Sequence, residues 1–489
     1  MPFHLANVLF HMLGGLLVYV ILRRLIPNLW APAAGAALFL VHPLQVEAVG
    51  WVSGLKDVLG GTLSLAALYC FLRFIDGKKW WYLPATLAFV LAMFAKPACV
   101  VVPLLALLSG SWAAAQAGAG VPEHDGTQSY SSLIKNIIRR VLLPLLPWFL
   151  LTIPVILEGR RAQPATIVPT VALWMRPLVA ADALWFYLAK LLLPIGLCID
   201  YSRTPAAIAH SGALYWTWIF VVAALAAMWL LRRRLPLLLV ALLLFFAAPL
   251  PVLGFVKFDF QFYSTVSDHY VYLAMLGAAL GAAAVLQNWE RSPIAWVAAA
   301  VMLLGLGIAT TIQCGYWKDD FTLFDRAADI NPQSFVAHSH LGRVFLERGD
   351  MDRAEEHFER AVQIAPDNAA AHRNLGEVLL AQRHPRAAAP ELEAALAGQA
   401  DDAGLHNDLG IALAQSQQYR RAKAQFEQAI RLNPRYLDPR VNLARMSAEQ
   451  GDFAAAADYY RQALEVDPNS AIARRELAAL QARMQRSSP

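Results

Sequence analysis

Between residues 42 and 57 the chain reads His-Pro-Leu-Gln-Val-Glu-Ala-Val-Gly-Trp-Val-Ser-Gly-Leu-Lys-Asp, setting His42, Glu47 and Asp57 beside an otherwise apolar run. Ionisable side chains at membrane depth are costly to keep, so they mark candidate sites. Glu47 and Asp57 have the chemistry of an acid/base pair or of metal ligands, with His42 as a further ligand or proton carrier. The competing reading is that they solvate a loop and cap the helix that begins near Asp57. Lys96, ahead of Pro97, could face an anionic phosphate or simply snorkel. Arg160 and Arg161 offer guanidinium groups to a phosphate, while the adjacent Glu158 offers them an ordinary ion pair. Asp268 and His269 precede Tyr270-Val-Tyr-Leu and could hold a lipid phosphate or cap a helix. Asp200 and Tyr201 close another apolar stretch, where a phenol commonly anchors at an interface.

Apolar helices must position these groups. Hydrophobic residues make up 58% of the 489 and charged residues 16%, and the apolar content lies in runs. Such a composition excludes a soluble globule. Runs near 3–22, 31–48, 58–75, 81–95, 97–110, 141–157, 212–231, 235–256, 271–287 and 294–313 predict about ten spans, each needing about 20 apolar residues at full length. The stretch 171–199 reads as interfacial or re-entrant, because Arg176, Asp182 and Lys190 alternate with Trp174, Trp185 and Tyr187. The loop 111–140 reads as a flexible connector. Basic clusters at Arg23/Arg24, Lys78/Lys79, Arg139/Arg140 and Arg232 to Arg234, with Arg291, fall on one side of the ten spans, which predicts that side to be cytoplasmic. The candidate site and the C-terminal region are then expected on the periplasmic or extracellular side of a bacterial inner membrane. The net charge of +5 is not a nucleic-acid footprint, since residues 317–489 hold 21 of the 41 Lys and Arg and 25 of the 36 Asp and Glu. Cys70, Cys99, Cys198 and Cys314 lack paired or metal-type spacing and read as small buried residues.

The last third repeats every 34 residues. Leu341, Leu375, Leu409 and Leu443 are followed by Gly342, Gly376, Gly410 and Ala444, and the alanines 354, 388, 422 and 456 keep the same register. This is the tetratricopeptide pattern, in which small residues let paired helices approach and large ones fill the gap between successive pairs. Pro366, Pro434 and Pro468 stop the second helices, and Ala400 stands where a proline is expected. The chain is therefore predicted to be all-α: a polytopic membrane domain over 1–316, a junction and half unit over 317–334, four repeats over 335–468 and a capping helix and tail over 469–489.

Several of these stretches carry a resemblance. His42-Pro through Glu47-Ala-Val-x-Trp, Asp57-Val-Leu, Leu193-Pro through Asp200-Tyr201, Tyr270-x-Tyr-Leu and Trp317-Lys-Asp-Asp look like the transmembrane and tetratricopeptide repeat containing family, which resembles the protein O-mannosyltransferases. The resemblance implies a C-type glycosyltransferase architecture, a polyprenyl-phosphate-linked sugar as donor, membrane lipid as surroundings, a divalent cation, and repeats that bind a protein or peptide on the outer side. On that basis Glu47, Asp57 and His42 are the expected catalytic groups, and Lys96, Arg160, Arg161, Asp268 and His269 the expected donor-phosphate groups. The sequence departs in two ways. The family's first span and acidic first outer loop precede a His-x-x-Asn-x-x-x-His pattern that here already starts at His4, so an upstream segment is expected. His269 stands where an arginine is common. A non-catalytic membrane scaffold for envelope or secretion complexes is the alternative reading.

Overall fold

The computed structural model describes residues 2–119, 130–162, 171–255 and 258–487; part of the predicted connector 111–140 and part of the loop after Arg161 lie outside them. Two compact units divide the chain, Met1–Asn331 and Pro332–Pro489. Every described regular element is helical.

In the first unit six helices are long and apolar enough to cross a membrane: Phe3–Leu25, Val52–Ile75, Pro97–Gln116, Ser132–Arg161, Ala213–Leu231 and Pro293–Tyr316. A seventh is formed by Trp30–Val41 and Pro43–Gly50, bent by 50°. The shorter apolar helices Lys79–Ala95, Pro236–Val252 and Met275–Asn288 occupy the three remaining predicted places. Pro293–Tyr316 turns Ile294, Val297, Val301, Leu304, Ile308 and Ile312 outward, an apolar surface that requires an apolar solvent. The protein is a membrane protein. Cys314 is exposed on the same helix, whereas the other three cysteines are buried as expected.

Arg176–Leu192 is a 17-residue helix, and it is not simply interfacial. Asp182 and Tyr187 are fully buried on it, because Asp182 takes a bidentate ion pair from Arg203, with Nη2 at 2.6 and 2.7 Å from the two carboxylate oxygens. The amphipathic pattern was legible; the partner of its acid was not.

The second unit contains four antiparallel helix pairs, from Phe335–Glu347 with Met351–Ile364 to Asp438–Glu449 with Phe453–Val466, followed by Ala471–Ser487. The small residues act as predicted: a Cβ on Gly410 would lie 2.6 Å from the Phe426 ring, and Gly342 and Gly376 meet Phe358 and Leu392 in the same way. Leu341, Leu375, Leu409, Leu443 and Ala444 are buried. Proline proves unnecessary at position 400. The Ala400 carbonyl accepts from His406 Nε2 at 3.0 Å, as Pro366 does from His372 at 2.8 Å and Pro332 from His338 at 3.3 Å. In each of the first three units one imidazole thus holds the loop that enters it. The predicted half unit forms the helix Asp320–Ile330, which groups with the membrane unit. Asn331 fixes it there, donating to Asp200 O at 3.2 Å and Ser202 Oγ at 2.8 Å.

Two predictions arise in this unit. The turns between paired helices repeat a positive φ at Gly349 (78°), Arg383 (64°), Gln417 (64°) and Gly451 (83°). A side chain there is strained by up to about 1–2 kcal/mol, so Gln417→Gly is expected to raise the melting temperature of the detergent-solubilised chain. Asp408 has its pKa pushed up to about 6 by burial and then by the Glu377 carboxylate. A carboxyl raised in the folded state penalises folding above that value, and the penalty disappears below the ordinary value of 3.8. Asp408→Asn is therefore expected to stabilise the repeats at pH 8 and to have no effect at pH 4, a difference read by thermal melts at the two pH values.

Candidate active site

The bend after Val41 creates the site. His42 and Pro43 interrupt the helix, since proline supplies no N–H and disfavours helical backbone in the residue before it. The chain then makes two short turns, Val46–Gly50 and Val52–Gly54. Gly54 is needed because a Cβ there would strike the Ala48 carbonyl. Asn7 holds this turn from the first helix, donating to Val49 O at 3.1 Å and Trp51 O at 2.8 Å. One turn further on, His11 Nε2 donates to Leu40 O at 3.1 Å and its Nδ1 lies 3.2 Å from Tyr272 Oη. The His-x-x-Asn-x-x-x-His pattern therefore supports the site, with Asn7 and His11 on one helix face and His4 exposed.

Opposite lies Ser264–Ser267, a fully buried segment of irregular backbone. Such a segment must find polar partners inside the protein. Thr265 N donates to Arg203 O at 2.9 Å, Ser267 N to Tyr187 Oη at 3.2 Å, and Tyr187 Oη to Ser267 O at 3.3 Å. A 3₁₀ turn over Asp268–Val271 follows. Three residues per turn send three consecutive side chains in three directions, so Asp268, His269 and Tyr270 each meet a different partner.

His269 meets Glu47. Its Nδ1 lies 2.6 Å from Glu47 Oε1 and 2.8 Å from Ser267 Oγ, and its backbone N–H donates to Glu47 Oε2 at 3.2 Å. Ser267 Oγ donates to Glu47 Oε1 at 2.8 Å. Glu47 is only 2% exposed, so it does not solvate a loop. A carboxylate accepts only, so Nδ1 carries the hydrogen and Nε2, without a partner among the described residues, has a free lone pair when the ring is neutral. Asp268 accepts from Tyr201 Oη at 2.8 Å. Burial, and then the Glu47 charge, push the Asp268 carboxyl far above the usual carboxylate range, since both disfavour its ionised form. Tyr270 lies under Lys96, whose Nζ is 5.4 Å from the ring centroid. Lys96 in turn is ion-paired with the buried Asp57.

The expected site residues thus separate into three groups. Glu47, Asp268 and His269 converge, with Asp57 and Lys96 beside them. His42 does not remain free for chemistry: Nε2 bonds Leu191 O at 3.1 Å and Nδ1 accepts from Leu44 N at 3.2 Å, which commits both nitrogens to holding the bend. Arg160 and Arg161 sit exposed at the end of their helix, Arg161 paired with Glu158 at 2.7 Å, and neither bonds the cluster. Lys96 does not snorkel, and Tyr201 bonds Asp268 instead of anchoring at an interface. The site roles of Ser267 and Tyr187, and Arg203 as the partner of Asp182, escaped sequence reading, because a lone Ser, Tyr or Arg has no spacing to betray it. Among the described residues no three His, Cys, Asp or Glu side chains form a metal-binding set.

Tetratricopeptide-repeat models match residues 333–401, 407–471 and 442–486. Among curated proteins the chain is 33% identical over 90 residues to protein O-mannosyl-transferase Tmtc1 of Drosophila melanogaster and 36% identical over 91 residues to Tmtc2 of the same fly, matches that cover 18% and 17% of this chain and 10% of each relative. A protein O-mannosyl-transferase of Caenorhabditis elegans is 21% identical over 383 residues, covering 73% of this chain and 49% of the relative. The chain is similar in part to these protein O-mannosyl-transferases and carries tetratricopeptide repeats. It spans less than half the length of these relatives. The nematode match is longer than the repeat unit and so extends into the membrane unit. Among solved structures, YrrB, a TPR protein with an unusual peptide-binding site, shares 19% identity with a TM-score of 0.31, covering 39% of this chain and 95% of its own.

Proposed function

We propose that the chain is a membrane glycosyltransferase that moves a sugar from a polyprenyl-phosphate donor to a protein hydroxyl or envelope glycan on the outer face of a bacterial inner membrane, its repeats recruiting the acceptor. The observation that carries this reading is the buried Glu47–Ser267–His269 constellation beside the Asp57–Lys96 pair. Transfer requires three things: an acceptor oxygen bonds the anomeric carbon, that oxygen loses its proton, and the carbon–phosphate-oxygen bond breaks with its electron pair leaving on the phosphate. His269 Nε2 receives the proton, Glu47 holds the ring and stabilises its cationic form, and Lys96 offers positive charge to the departing phosphate. Asp57 keeps Lys96 in place. Glu47 is thus a positioning residue and His269 the catalytic one, a division that refines the expectation of Glu47 as catalyst and His269 as phosphate ligand. Two buried polar atoms near the Glu47 turn lack protein partners, Asn7 Oδ1 and Trp317 Nε1, as a polar substrate would require.

The test is transfer from a radiolabelled polyprenyl-phosphate sugar to periplasmic protein by the purified chain, with a chain extended upstream of Met1 run alongside. Transfer abolished by His269→Ala supports the reading. Absence of transfer by both chains, with the repeats still capturing one specific protein, would establish the scaffold instead.

A further inference from the structure

A second charged site lies away from Glu47, among the basic clusters. A cavity of about 600 Å³ is lined by Asp76, Lys79, Lys135, Asn136, Arg139 and Arg140. Its single acid is already neutralised, because Arg24 bonds Asp76 through Nε at 2.8 and 3.0 Å. Among the described residues none of the four basic side chains has an ion pair, so their charge is available to a ligand.

The backbone gathers that charge. Residues Ile138–Leu142 form a π-turn between Tyr130–Ile137 and Leu143–Arg161. Lys135 and Arg139, four apart, share a face in any α-helix, but Arg140 would lie well round the helix. A wider i→i+5 turn brings it toward the same side, and such bulges are common at functional sites. Asn136 ties this helix to its neighbour by donating to Ala114 O at 3.3 Å. Beside the cavity the same helix exposes Ile134 and Ile138, and its continuation exposes Leu143, Leu146 and Leu150. A polycationic cavity at the end of the spans, continuous with an outward apolar strip, matches a molecule that is anionic at one end and acyl at the other.

We infer that this cavity binds the phosphate headgroup of an anionic phospholipid, with its acyl chains along the Ile134–Leu150 strip. The site is independent of the transferase reading. A soluble phosphate would use the same cations but not the strip, which is why the lipid is favoured.

The test uses the full detergent-solubilised chain, titrated with phosphatidylglycerol and cardiolipin against phosphatidylcholine, and separately with inorganic phosphate, with bound molecules counted by native mass spectrometry. The expected result is retention of the anionic lipids, reduced about tenfold or more in the triple variant Lys135→Gln/Arg139→Gln/Arg140→Gln. It should be unchanged in Arg232→Gln/Arg233→Gln/Arg234→Gln, which removes as much charge elsewhere. Equal loss in both variants would reduce the effect to general charge and overturn the site, as would binding of inorganic phosphate without lipid preference. Should the first triple variant not fold, millimolar inorganic phosphate added to the unaltered chain decides: lipid that stays bound supports the inference, and lipid that is displaced overturns it.

Discussion

Glu47→Gln is expected to lower the turnover number for sugar transfer by about 10²- to 10⁴-fold, the range for loss of a positioned proton-transfer system, with little change in KM. The carboxylate accepts three hydrogen bonds, from the ring N–H and backbone N–H of His269 and from Ser267. An amide of the same shape can accept at one atom only, and its NH₂ faces donors, so the ring turns or takes the other tautomer and Nε2 no longer presents a lone pair to the acceptor. Glu47→Asp, which keeps the charge on a shorter arm, should recover part of the rate. Asp268→Asn is the informative companion. Burial and the Glu47 charge push the Asp268 carboxyl far above the usual carboxylate range, and an amide oxygen can still accept from Tyr201, so transfer should fall far less than in Glu47→Gln. Equal losses in the two variants would sink the assignment of distinct roles to Glu47 and Asp268.

Arg203→Ala is expected to destabilise the membrane unit by about 3–5 kcal/mol, the cost of leaving a buried charge unpaired. Asp182 is fully buried and its two oxygens are held by one guanidinium. Removal of the arginine strands that carboxylate, whereas replacing both partners, as in Asp182→Leu/Arg203→Met, should restore most of the stability. The pair also reaches the site, since Arg203 O accepts from Thr265 N at 2.9 Å and so pins the segment that delivers Ser267 and His269. Thermal unfolding in detergent and transfer should therefore fail together in the single variant. Normal stability with normal transfer would show that the contact has no structural role.

The repeats were almost wholly legible, because each unit is built from contacts a few residues apart and the spacing of 34 states them four times. Even there one feature was hidden: the carbonyl of residue 332, 366 or 400 bonds an imidazole six residues on, with or without the proline, and this is visible only in three dimensions. The spans were legible as apolar runs, and ten runs correspond to six long helices, one bent pair and three short helices. Their boundaries with polar loops were less so. The chain division falls after Asn331 because Asn331 bonds Asp200 and Ser202, residues far away in sequence.

The sequence by itself determined that this is an all-helical membrane protein with tetratricopeptide repeats, and that Glu47, Asp57, Lys96, Asp268 and His269 are polar groups misplaced in apolar surroundings. Only the tertiary structure decided how they divide. A 3₁₀ turn aims Asp268 at Tyr201, His269 at Glu47 and Tyr270 toward Lys96, while His42 is consumed by the bend and Arg160 and Arg161 stay outside. Residue type reports what a side chain can do, and its solvation reports that it must have a partner. Which partner it takes depends on backbone direction and on contacts more than 200 residues apart, such as Glu47 with His269, and no local spacing encodes those.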